Sequence, residues 1–198
     1  YGQYHSIYDS FAWMDRFGGR PNEPGSAWEL MATSAKIWGL LALRLANAEF
    51  VPLDPIAQGA ALFKYAKAIE TQKLGLDVSP IHKAVKKYQQ AAAQLQLKCQ
   101  SSSSGHQEVV VTDRQEDHQE DCNEKLGMVE RQFLLAEGLP GRKWFKHSLQ
   151  APGMDLGYAA EAFPGVQQGI DDQDLDVAQQ QILKVAERIE AAAEFLKV

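Results

Sequence analysis

DLDVAQQQILKVAERIEAAAEFL, residues 174–196, places apolar side chains at Val177 or Ala178, Ile182, Val185, Ile189, Ala193 and Leu196. Steps of three and four put them on one face of an α-helix. Asp171, Asp172, Asp174 and Asp176 gather at its start, where the helix dipole favours anions. Working back along the chain, three more segments show helix-boundary chemistry. One opens at Ser79-Pro80 and carries Ile81, Val85, Tyr88, Ala92 and Leu95 before a serine run. Another opens with Asp54 as N-cap and Pro55 in the first turn, where a missing N–H costs nothing. Its stripe is Ile56, Ala60, Phe63 and Ile69, and Gly75 stops it. The earliest, residues 26–49, begins with Ser26 and Glu29 spaced as a capping box and carries Leu30, Ile37 or Trp38, Leu41 and Leu45. A shorter helix is expected over residues 122–137, with Met128, Val129, Phe133 and Leu134. Only Val109–Thr112 has β character, and residues 139–169 read as an irregular connection rich in Gly and Pro. The pattern predicts an all-α fold, an antiparallel helical bundle with one long irregular loop. A loop of that length in a compact domain is more often functional than idle.

The 198 residues carry 26 acidic and 20 basic side chains, a net charge of −6. With 45% hydrophobic residues the chain can bury a sizeable core. A pI of about 5.4 argues against a general nucleic-acid binder. No run approaches the roughly 18 apolar residues of a membrane-spanning helix. The charge is concentrated. Between His106 and Glu124 stand Glu108, Asp113, Glu116, Asp117, Glu120, Asp121 and Glu124 against Arg114 alone, so the rest of the chain is electrically balanced. This stretch follows Ser101–Gly105, a linker-like composition, and residues of about 100–121 read as a disordered, solvated insertion. His106 and His118 lie within it without ligand-like spacing. Cys99 and Cys122 allow one disulfide but no framework, and leave the redox compartment open.

Signatures such as HExxH, GxSxG, a Walker loop or a dinucleotide fingerprint are absent. Gly18-Gly19 with Pro21, Pro24 and Gly25 forms a turn-rich connector, and Trp13, Trp28 and Trp38 fall in helical patterns that suggest core positions. His82 reads as a surface residue. Two segments say more. One is Tyr4-His5-Ser6-Ile7-Tyr8-Asp9 with Phe11 and Asp15-Arg16-Phe17. The other runs from Gly138 to Gly165: Gly-Leu-Pro-Gly-Arg, Lys146-His147, Ala151-Pro152, Tyr158-Ala159, Glu161 and Phe163-Pro164-Gly165. Together they resemble the C-terminal region of the glutamate carboxypeptidase and transferrin receptor family.

The resemblance implies a stub of a zinc peptidase domain at residues 1–20 and a transferrin receptor-like dimerisation domain at residues 21–198. The chain begins at Tyr1 and is expected to be a fragment of a longer zinc carboxypeptidase holding two zinc ions. By the same resemblance His5 is the last metal ligand, and Tyr4 lines the substrate cavity. Imidazole is a suitable zinc ligand, but one imidazole cannot hold a catalytic metal. Tyr158 falls where the family grips a terminal glutamate through a Lys-Tyr pair. Gly157 stands in place of that lysine, which puts glutamate selectivity in doubt. His147 falls near the substrate pocket, with a role in holding the loop an equal reading. The implied partners are a second copy of the chain and, in the parent, a peptide. The fragment alone is not expected to catalyse. Family members usually sit on the lumenal or extracellular side behind a membrane anchor that this chain lacks. The alternative is a non-catalytic receptor or trafficking module of transferrin receptor type.

Overall fold

The structure, a computed structural model, describes residues 2–20, 22–23, 25–101, 113–154 and 157–197. Val109–Thr112 and most of the expected insertion lie outside them. The chain divides into two compact units, Tyr1–Glu49 and Phe50–Val198.

The first unit holds α1 (Phe11–Phe17) and α2 (Ser26–Ala46). The Ser10 hydroxyl caps α1 by accepting the Trp13 N–H at 3.3 Å. The capping box expected at Ser26 is not formed. Its hydroxyl instead accepts the Arg20 N–H at 2.7 Å, and Gly25, at φ 82°, is the residue that starts α2. Glu29 lies 3.7 Å from the Arg20 guanidinium. Trp28 donates to Asp15 at 2.7 Å and stacks on Phe11. The expected core stripe of α2 is exposed, from Leu41 at 45% to Trp38 at 72%, and only Ser26 and Ala27 are buried. Met31, Leu40 and Leu43 are exposed as well, so apolar side chains cover most of the helix circumference. A helix of that kind is ordinarily enclosed by a larger body.

The second unit is a bundle built around α4 (Ser79–Ser101), with α3 (Pro55–Glu70) and α7 (Leu175–Leu196) against it. Ile81, Val85, Tyr88, Ala92 and Leu95 are fully buried, as the α4 spacing predicts. The Asp54 carboxylate caps α3 through the N–H groups of Ile56 and Ala57 at 2.9 and 3.0 Å. The buried face of α3 differs from the expected stripe: Gly59, Leu62, Ala66 and Ile69 point inward, while Ile56 and Phe63 are exposed. Gly59 is the reason. A Cβ there would stand 2.9 Å from Gln89 and 3.3 Å from the Tyr88 ring, so α4 closes on the bare backbone.

Polar pairs give the helix directions. Gln58 meets Tyr88 and Glu70 approaches His82, so α3 and α4 are antiparallel. Gln179 bonds Asp77 at 2.8 Å and Glu190 pairs with Lys87 at 2.7 Å, so α4 and α7 run the same way. The return between them is made by α5 (Asp113–Met128) and a 3-10 segment, Val129–Phe133. This helix starts well before the expected Cys122. Cys122 is bonded to Cys99, with Cα atoms 6.0 Å apart, and Lys98 pairs with Asp121 at 2.9 Å.

The long connection contains order that composition did not reveal. β1 (Gln150–Pro152) pairs antiparallel with β2 (Ala160–Ala162), Ala151 opposite Glu161, and α6 (Pro164–Asp171) follows. Helix α6 lies flat on α7 because Gly169 lets the backbones touch; a Cβ there would fall 2.6 Å from the Ala178 nitrogen. Gly169→Ala is therefore expected to destabilise the fold by about 1–3 kcal/mol. Gly127 in α5 has nothing within 4 Å of an added Cβ, and Gly127→Ala should gain about 0.5–1 kcal/mol. Chemical denaturation of the two variants measures the contrast.

Candidate functional site

The residues marked by the sequence fall in both units. Tyr4 and His5 are exposed neighbours whose rings stack at 3.8 Å, in a turn held by the Ser6 hydroxyl on the Gln3 carbonyl at 2.8 Å. His5 occupies the left-handed backbone region at φ 57°. His147 and Tyr158 belong to the loop between the 3-10 segment and α6, and their surroundings contrast sharply.

Tyr158 is 92% exposed, with its ring on the loop surface. Beside it, Gly157 has open space where a side chain would grow. His147 is partly buried and engaged through both ring nitrogens. Its Nε2 lies 3.0 Å from the Glu130 carboxylate, and its Nδ1 accepts the N–H groups of Leu149 and Gln150, each at 3.3 Å. An Nδ1 that accepts must carry no proton, so Nε2 carries it and faces the Glu130 carboxylate at 3.0 Å. Glu130 also accepts from the Gln58 amide at 2.7 Å, and the Tyr88 hydroxyl donates to the Gln58 carbonyl oxygen. The His147 bond holds the Glu130 carboxyl below the usual range, partly opposed by desolvation, with a smaller contribution from Gln58. Burial, with the Glu130 charge adding to it, pushes the Tyr88 phenol far above its ordinary value, so it remains a donor.

This relay joins α3, α4, the 3-10 segment and the start of β1. It gives His147 the loop-holding role named as one of its two readings. Composition gave no sign of Glu130 or Gln58, because their significance lies in contacts 72 residues apart. Arg142 was visible only as the last residue of Gly-Leu-Pro-Gly-Arg. It donates to the Pro152 carbonyl at 2.6 Å and lies over the Phe145 ring, fastening the first turn of the loop to β1. Gly138, at φ 78°, makes that turn possible, since a Cβ would strike the Lys143 backbone at 2.4 Å. Glu137 ties the same turn to α7 through Lys184 at 2.6 Å. A groove of about 330 Å³ runs beside the relay, lined by Leu53, Pro55, Gln58, Leu126, Val129 and Glu130. Among the described residues, no group of three or more His, Cys, Asp or Glu side chains is arranged to hold a metal ion.

The described residues thus form a helical bundle with a long loop tied to it through His147 and Glu137. Residues 76–197 match the family model of the transferrin receptor-like dimerisation domain. The chain belongs to that family. Among curated relatives, it is 33% identical over 174 residues to the Arabidopsis thaliana protein named Probable glutamate carboxypeptidase LAMP1, covering 87% of this chain and 23% of that one. An Arthroderma benhamiae protein named Probable glutamate carboxypeptidase is 33% identical over 205 residues, covering 98% of this chain and 25% of the relative. A Schizosaccharomyces pombe protein named as an inactive zinc metalloprotease is 26% identical over 196 residues, with 94% and 23% covered. The chain thus spans about a quarter of the length of these relatives.

His147→Ala should leave the Leu149 and Gln150 N–H groups unpaired and cost about 1–2 kcal/mol. The Glu130 share is small, because that side chain is 56% exposed. With its carboxyl pKa held low, Glu130 contributes stability above its ordinary value of 4.5 and loses that contribution as pH falls below it. In Glu130→Gln this part of the acid dependence of unfolding, followed by circular dichroism, should disappear.

Proposed function

We propose that the chain is the dimerisation portion of a longer zinc-dependent carboxypeptidase resembling glutamate carboxypeptidase. It supplies the homodimer interface and one wall of the active site, and does not catalyse alone. The observation that carries this reading is the family match over the bundle, together with Tyr158 displayed on an ordered loop beside it. The loop is anchored to the bundle by His147, Arg142 and Glu137, which suits a wall that must hold its shape while a substrate binds. Tyr158 would offer its hydroxyl to a substrate carboxylate, and Tyr4, by the family resemblance, would line the substrate cavity of the parent. His147 would act on substrate indirectly, by setting the loop. Gly157 supplies no cation, so the pocket would not be strongly selective for a terminal glutamate.

His5 would be a zinc ligand of the parent. It is a single imidazole, and the described residues offer no companion ligand set, so metal chemistry depends on ligands beyond this chain. The exposed apolar surface of α2 supports the same conclusion. Residues 2–49 form a compact unit of their own in which α2 exposes most of its apolar side chains, which suits a stub of a larger domain at residues 1–20 followed by the start of the dimerisation domain. A second reading, a non-catalytic module of transferrin receptor type, is favoured by the relative named as inactive.

Two measurements test these statements. In the longer protein, His5→Ala should lower bound zinc and abolish peptide hydrolysis; an active mutant with full zinc content removes His5 from the site, and a parent without hydrolysis or zinc favours the receptor reading. For assembly, residues 50–198 should sediment as a dimer at tens of micromolar, whereas a monomer would show that the bundle alone does not supply the interface.

A further inference from the structure

We propose that Cys99–Cys122 is a thiol–disulfide exchange site, in which an incoming thiolate attacks Cys99 from a groove and Cys122 departs beside His118. The two sulfurs are presented unequally. Cys122 is fully buried, while Cys99, buried to 8% exposure, lines a groove of about 390 Å³ together with Phe50, Pro52, Leu95, Gln96 and Leu126. Among the described residues, the groove therefore meets the disulfide at Cys99. The identity of the attacked sulfur and the stability of the departing thiolate both govern such exchanges. His118, one helical turn before Cys122, has its Nδ1 3.8 Å from the Cys122 sulfur.

The step balances as follows. The thiolate of a dithiol forms a bond to Cys99 Sγ, the Cys99–Cys122 bond breaks, and its electron pair leaves on Cys122 Sγ. A proton on His118 Nδ1 passes to that sulfur. The second thiol of the reductant then attacks the mixed disulfide as a thiolate, and Cys99 Sγ departs with the electron pair and takes up the proton that thiol gave up, so two electrons and two protons pass to the protein and the dithiol becomes a disulfide. Among the described residues, His118 acts on Asp121 of its own helix, which Lys98 of α4 pairs with and Lys125, one turn beyond Asp121, also faces.

The bond also secures α5. Among its described side chains only Cys122 and Leu126 are buried. Its remaining ties include Lys98–Asp121, Asn123 accepting the Val51 N–H at 2.8 Å, and Lys125 on the Phe195 carbonyl at 3.2 Å. Reduction should thus register as faster amide exchange in α5, with the centre of α4 unchanged.

The test uses the full 198-residue chain, oxidised and without denaturant. Dithiothreitol reduction is quenched by alkylation and followed by intact mass. His118→Gln should slow it about tenfold, as expected when a departing thiolate loses its proton donor. With oxidised glutathione, Cys122→Ser should gain one adduct on Cys99 at least tenfold faster than Cys99→Ser gains one on Cys122. An unchanged rate in His118→Gln, adduct formation as fast on Cys122, or reduction only after unfolding would each overturn the proposal. If the serine variants do not fold, the wild-type and His118→Gln reduction rates decide it.

Discussion

Helix α4 buries one broad face along its whole length, Ile81, Ala84, Val85, Tyr88, Ala91, Ala92 and Leu95, and leaves Lys83, Lys86, Lys87, Gln90 and Gln94 to the solvent. Three neighbours share that burial, α3 on one flank, α7 on another, and the 3-10 segment through Phe133 against the Tyr88 ring. Small residues set the distances. Gly59 admits the Tyr88 and Gln89 side chains of α4, and Ala84, Ala91 and Ala92 leave little bulk on the buried face of the helix. Because Tyr88 is at this centre, its hydroxyl must find an acceptor inside the bundle. Gln58 provides one, and the relay to Glu130, His147 and the loop backbone follows from that single requirement.

The functional loop therefore takes its position from the core. Composition shows a Gly- and Pro-rich connection of some thirty residues, which suggests irregularity. The structure holds it at several points instead: the His147 relay, the Arg142 bond to the Pro152 carbonyl, the Glu137–Lys184 pair and the β1–β2 pairing. Phe163, fully buried at φ 49°, closes the loop and starts α6. A non-glycine residue in that region carries some backbone strain, offset here by burial of its ring against Tyr65.

Helices α3, α4 and α7 were legible because each has a boundary signal and a repeating apolar face. The face of α3 was misplaced by the width of one residue, since a stripe of large apolar residues concealed that Gly59 was the contact point. The reading of α2 failed differently. Its periodicity and length were right, but an apolar helix looks the same whether its cover belongs to its own chain or to a larger body. The start of α5 was hidden by its charge: Asp113–Asp121 has almost nothing to bury, and the disulfide that fixes it cannot be read from two isolated cysteines. Tyr158 and Gly157 were visible as motif positions, whereas Glu130 and Gln58 became meaningful only through distant contacts. The net charge of −6 also changes meaning. Part of it is carried by an ordered helix pinned at Asp121 and Cys122.

Because α4 and α7 run in the same direction, the bundle has two dissimilar ends. At one, the N-termini of α4 and α7 meet each other through Asp77 and Gln179, and the end of α3 through His82 and Glu70. At the other, the last turn of α4, the start of the 50–55 segment, the disulfide and the end of α7 converge. At 1.5 Å per residue, helices of 22 and 23 residues separate these ends by roughly 30 Å. Residues 101 and 113, between which the serine-rich segment is inserted, both sit at the far end. The chain thus leaves and re-enters the bundle beside the Cys99–Cys122 bond, which acts as the clasp of its own insertion.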